Sequence, residues 1–162
     1  MRPVANLFDV ETAQDADDPA GYQTPYARVG SLVGGAALGA SVYVLNEGQS
    51  VCPYHWEAGD EEWLLVIEGR PLVRTPDGEN ELEPGDIVCF PAGPEGAHKA
   101  SNRHAETARI AIFSTKNEPA IAVYPDSDKI GIWPPGKLFR AADAVDYWAG
   151  ELDNDVSADQ PN

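Results

Sequence analysis

Residues 53–69 read PYHWEAGDEEWLLVIEG, and the reading of their second half decides the fold. The run EWLLVI, Glu62 to Ile67, is built of aromatic and branched apolar residues that favour a pleated strand. Side chains alternate across a strand, so Glu62, Leu64 and Val66 share one face and Trp63, Leu65 and Ile67 the other. Both faces are apolar, and neither can comfortably face water. The expectation is that a second sheet covers one face, and that a partner subunit or the chain's own arms cover the other. Upstream, Ala58-Gly59-Asp60 makes a short turn back to an extended run from Ser50 to Glu57.

Working outward, the same signature recurs. Ala36 to Leu45, Pro71 to Thr75, Ile87 to Phe90, Thr107 to Ser114 and Ala120 to Tyr124 all read as strands. Pro76-Asp77-Gly78 and Glu83-Pro84-Gly85-Asp86 read as tight turns between them. Many short strands punctuated by Gly and Pro indicate an all-β sandwich or barrel. Only Arg140 to Trp148 suggests a helix of any length. Residues 1–24 form an acidic N-terminal arm, with Leu7 and Phe8 as candidates to dock on the body. Residues 25–150 are the barrel domain, and 151–162 a polar tail.

The chain has 162 residues, enough for one domain, with 27 acidic against 11 basic residues and a net charge of −16. The first twenty residues and the last thirteen carry −4 each, leaving −8 on the body. Such a surface repels a nucleic-acid duplex or a bare anionic membrane. No apolar run reaches the length of a membrane span, and Met1 to Val10 lacks a signal-peptide pattern. A soluble, cytoplasmic protein is expected. Cys52 and Cys89 form no metal-ribbon or CxxC spacing and are expected to be small buried hydrophobes.

The chemistry gathers on His55, Glu57, Glu62 and His98. His55 and Glu57 are two apart in an extended run and point to one face. Glu62 returns beside them across the turn, and His98 arrives from a separate hairpin after PAGPEG, residues 91–96. Two imidazoles and one or two carboxylates inside a barrel suit an open divalent transition-metal site of the Fe, Mn, Zn or Ni type. His104, in the polar turn SNRHAE, is expected to be solvated.

Residues 53–69 resemble the first motif of the cupin superfamily, in which HxH is followed by Glu and, seven residues later, Gly; Glu62 and Gly69 match that spacing. Residues 85–102, GDIVCFPAGPEGAHKASN, resemble its second motif through Gly85, Pro91, Gly93, His98 and Asn102. The resemblance spans about residues 36–114. It implies a single double-stranded β-helix, or jelly-roll, barrel with short terminal extensions. It also implies one bound divalent metal on His55, Glu62 and His98. Glu57 stands where the motif has its second histidine, and two extra residues separate Gly93 from His98.

Glu57 therefore has three readings, a fourth ligand, the proton-shuttling catalytic group beside the metal, or an exposed turn acid. Arg28, Tyr43, Arg74, Arg109 and Lys129 are candidates to bind substrate, an inward arginine being a natural clamp for carboxylate or phosphate. The alternatives are outward arginines paired with surface acids, and Tyr43 in aromatic core or interface packing. Tyr124 to Lys129 is a rigid charged turn, a surface turn or a lid. The expected function is metal-dependent chemistry of isomerase, lyase or oxygenase type on a small polar metabolite, a sugar or organic acid, in a homodimer. The alternative is a non-catalytic binding or sensor module using the same pocket.

Overall fold

The structure is a computed structural model and describes residues 1–151. Twelve strands run in chain order: β1 (Tyr26–Ala27), β2 (Leu38–Leu45), β3 (Trp56–Glu57), β4 (Glu62–Glu68), β5 (Leu72–Thr75), β6 (Gly78–Glu81), β7 (Ile87–Phe90), β8 (Lys99–Ser101), β9 (Ala108–Thr115), β10 (Ala120–Tyr124), β11 (Lys129–Trp133) and β12 (Lys137–Arg140). A single-turn helix, α1 (Val29–Leu32), precedes β2. Every pairing is antiparallel. The sheets have the orders β1-β2-β9-β4-β7, β12-β11-β10-β3 and β6-β5-β8. This is the all-β architecture expected from the strand pattern.

The alternation in EWLLVI is realised as read. Leu64 and Val66 enter the barrel core with Leu45, Val73, Phe90, Ala100, Ala108 and Ile110. Leu65 and Ile67 lie on the opposite face, in a second cluster with Val42 and Ala111. The N-terminal arm covers that cluster with Ala5, Leu7 and Val10. Arg109 fastens it: Nε donates to Leu7 O at 2.8 Å and a terminal nitrogen to Val10 O at 2.9 Å. Of the two residues expected to dock, Leu7 packs and Phe8 stays 65% exposed.

Two residues of the second resemblance stretch and its partner have structural roles. Asn102 is buried; its amide donates to Leu45 O and Glu106 O and its oxygen accepts from His104 N–H, closing the loop that precedes β9. Gly69 adopts φ +76°, and a Cβ there would stand 2.5 Å from Thr107 O, so no larger residue fits the turn after β4.

Three expectations are corrected. The helix read at Arg140 to Trp148 is a single 3-10 turn, Ala141–Asp143. Val145, Tyr147 and Trp148 remain exposed, the two rings meeting edge to face, and so short a helix has little stability without tertiary support. The strand read from Ser50 to Glu57 is reduced to β3 and isolated bridges at Ser50 and His55, because Pro53 cannot donate to a ladder. Cys89 is exposed rather than buried, on the outer face of β7. The polar tail read at 151–162 lies outside the described residues beyond 151.

Candidate metal centre

His55 and His98 are brought together by the backbone. Their peptide groups form a reciprocal bridge, His55 N–H to His98 O at 3.1 Å and His98 N–H to His55 O at 2.8 Å. The imidazoles then sit side by side, ring centres 4.8 Å apart. Glu57 follows on β3, which β10 holds through Ala122. Glu62 heads β4 between Phe90 and Ser114 on its neighbours. Phe90 supports the site from beneath, its ring stacked on His98 at 3.7 Å and 5°.

Hydrogen bonding decides which nitrogen faces the centre. His55 Nδ1 lies 3.1 Å from Pro53 O and His98 Nδ1 lies 2.9 Å from Gly96 O. A carbonyl only accepts, so each Nδ1 carries a proton and Nε2 is the ring nitrogen that faces the centre. Both Nε2 atoms face a carboxylate: Glu62 Oε2 lies 3.4 Å from His98 Nε2 and 3.7 Å from His55 Nε2. The ligand atoms of His55, Glu62 and His98 all fall within 4.8 Å of one another. Two imidazole nitrogens and a carboxylate converging in this way can share a proton or hold a metal ion, and a carbonyl partner on the other nitrogen of each ligand imidazole is the usual support of a metal site. Two imidazoles and a carboxylate fit a first-row divalent ion. Glu57 touches this trio on one side only, with Oε1 3.6 Å from His55 Nε2.

The surroundings shift the titrating groups. Burial, followed by the neighbouring Glu62 carboxylate, pushes the Glu57 carboxyl up to about 7. Burial and then His55 hold His98 below its ordinary value. Burial alone would lower His55, but contacts with Cys52 and Glu62 outweigh it and raise the imidazole. Tyr43 and Tyr124 are pushed to about 12, chiefly by burial, and remain neutral hydroxyls.

The candidate substrate residues separate into two groups. Tyr43 faces the barrel interior, stacked on Tyr26 with ring centres 5.9 Å apart. Lys129 lies over the ring of Tyr124, which itself stacks on His55 at 5.8 Å. Arg28 stands at the rim above Tyr26. Arg109, by contrast, is on the outer face holding the arm, and Arg74 is engaged by Asp126 in a two-pronged ion pair while its guanidinium covers Tyr54. That pair also tethers the Pro125–Ser127 turn to β5, as a fastened surface turn. His104 pairs with Glu81 at the surface.

Sequence reasoning missed Cys52, Phe90 and Lys116. Cys52 Sγ lies 3.4 Å from His55 Nδ1 and gives that ring a second neighbour. The spacing Cys52-x-x-His55 carried a signal only once the chain was known to bend at Pro53. Lys116 lines a cavity of about 380 Å³ that opens beside the trio, with Glu57, Asp60, Glu62, Ser114 and Trp133.

Residues 41–114 match the family model described as a cupin domain, a span that contains all four candidate ligands. This is a cupin-fold protein. It resembles a sugar phosphate isomerase of the cupin superfamily from Silicibacter pomeroyi with 23% identity and a TM-score of 0.77, over 94% of this chain and 98% of that one. It also resembles the polyketide cyclase RemF from Streptomyces resistomycificus, with 20% identity and a TM-score of 0.60 over 74% of this chain and 84% of that one. No curated protein matches the sequence. Among the described residues, no helix is long and apolar enough to cross a membrane.

Proposed function

We propose that this cupin holds one divalent transition metal (Fe, Mn, Zn or Ni) on His55, Glu62 and His98 and carries out proton-transfer chemistry on a small polar metabolite, a sugar or an organic acid. The observation that supports this reading most strongly is the convergence of the two inward Nε2 atoms and the Glu62 carboxylate. The metal supplies a Lewis acid for a carbonyl or hydroxyl oxygen of the substrate.

The protein's own groups supply the rest. Glu57, a half-buried carboxyl near neutrality, is suited both to accept a proton from a carbon beside a carbonyl and to return one. Tyr124, neutral, stacks on His55 and braces that imidazole. The cavity of about 380 Å³ is the size of a sugar-like ligand rather than of a polymer. The name of the Silicibacter neighbour favours isomerisation over lyase or oxygenase chemistry within this reading.

The test is Glu57→Gln in the metal-loaded protein, incubated in D2O with a panel of aldoses, aldose phosphates and hydroxy acids. The parent should incorporate deuterium beside the carbonyl of one of them, and the variant should lose this while keeping its metal. Loss of metal along with exchange would make Glu57 a ligand instead. Binding of a panel member that raises thermal stability with no exchange in the parent would point to a non-catalytic binding module.

A further inference from the structure

We infer that Arg28 and Lys116 form a binding subsite for the terminal oxyanion, a phosphate or a carboxylate, of the ligand that the metal centre engages. The inference rests on that reading of the centre for its second half, but the subsite is argued from its own geometry. A small pocket of about 140 Å³ is lined by both cations together with Ser31, Gly39 and Ser41. Lys116 also lines the larger cavity that holds Glu57 and Glu62, so the two spaces meet at this residue.

Strand register explains the juxtaposition. Tyr26 pairs with Tyr43, and the two rings share the inward face. Arg28, two residues on, continues that face toward the rim beside Ser41. On β9 the inward positions Ile110 and Ile112 lead to Ser114 and then to Lys116. A Cβ on Gly39 would stand 2.6 Å from Ser114 Oγ and 3.9 Å from Lys116 Cγ, which puts all three on one side of the sheet. Gly39, Ser114 and Glu62 are direct partners across β2, β9 and β4. Two strand spacings separate Gly39 from Glu62, about 10 Å. Gly39 thus lets the Ser114 hydroxyl lie against its backbone, and Ser114 stands between the pocket of the cations and Glu62.

Charge supports the assignment. In a chain of net charge −16, Arg70, Arg74 and Arg103 pair with carboxylates and Arg109 with two carbonyls. Arg28 and Lys116 have no ion pair among the described residues, as is true also of Arg2, Lys99, Lys129, Lys137 and Arg140, but these two line one pocket together. Two cations held at one small pocket with serine hydroxyls offer charge-assisted hydrogen bonds to an oxyanion. The metal end of the cavity carries Glu57 and Glu62 and repels such a group, which orients the ligand with its anion at the rim.

Inorganic phosphate and the Mn²⁺-loaded protein provide the test, with ³¹P NMR to measure binding and the paramagnetic relaxation of the bound phosphorus. Phosphate should bind the parent and lose about tenfold in affinity in Arg28→Gln and in Lys116→Gln, as expected for one charged hydrogen bond each. Arg74→Gln should leave binding unchanged. The relaxation should place phosphorus on the order of 10 Å from the manganese, two strand spacings away. Parallel titration with acetate identifies the preferred end group, the tighter binder being the match. Affinity unchanged from the parent in the Arg28 and Lys116 variants, no binding in the parent, or phosphorus in direct contact with the metal overturns the subsite. If the protein takes up no manganese but phosphate still binds and weakens in both variants, the subsite stands and the metal reading fails.

Discussion

The two faces of β4 are made from one six-residue run and do different things. The inner face grades from packing to chemistry: Val66 and Leu64 are sealed in the core, and Glu62, one step further toward the rim, reaches both histidines. The outer face grades from covered to exposed: Ile67 and Leu65 lie under the N-terminal arm, and Trp63 is 40% exposed. The core positions the site on one side, and on the other the arm stands in for a second layer. A strand with two apolar faces therefore needs two covers, and here the second is a tethered segment of the same chain.

Breaking the inner face should cost most. Leu64 is fully buried, and Leu64→Ala should lower the unfolding free energy by about 2–5 kcal/mol in denaturant titration. A loss under 1 kcal/mol would mean that the inner face is not the core. Next comes the metal. With free metal at a hundred times its dissociation constant, binding contributes about 2.7 kcal/mol. Chelation should lower the thermal midpoint of the parent accordingly and leave His98→Ala unmoved.

The outer face should respond more weakly. Arg109→Gln removes the charged donor to Leu7 and Val10 and should cost on the order of 1–3 kcal/mol. Limited proteolysis should then cut within the first ten residues much faster, with metal content unchanged. Coupled loss of metal would show that the arm supports the site and would collapse the distinction between the faces. Trp63→Ala should matter least, within about 0.5 kcal/mol, as for other surface changes. A larger loss, with a midpoint that depends on protein concentration, would show that a second copy of the chain covers Leu38, Trp63 and Ile87.

What the sequence disclosed follows from the same contrast. Strands with apolar faces, such as β4, β7 and β10, were legible because period-2 alternation is a local signal. β6 and β12 were not, since GENE and KLFR are exposed throughout and become strands only by pairing with β5 and β11. The convergence of His55, Glu62 and His98 was legible through motif spacing. The fate of the arginines was not, because whether Arg74 or Arg109 faces a ligand depends on Asp126 and on the arm, 52 and about 100 residues away in sequence. Lys116 sits just beyond the end of β9, where no apolar pattern marks its direction.

The central claim is that the two inward Nε2 atoms and Glu62 hold a metal. Elemental analysis of the purified, untagged protein beside His98→Ala tests it most directly. The account predicts close to one equivalent of iron, manganese, nickel or zinc in the parent and its loss in the variant. Absence of metal from the parent, even after reloading with each of the four ions, would contradict it.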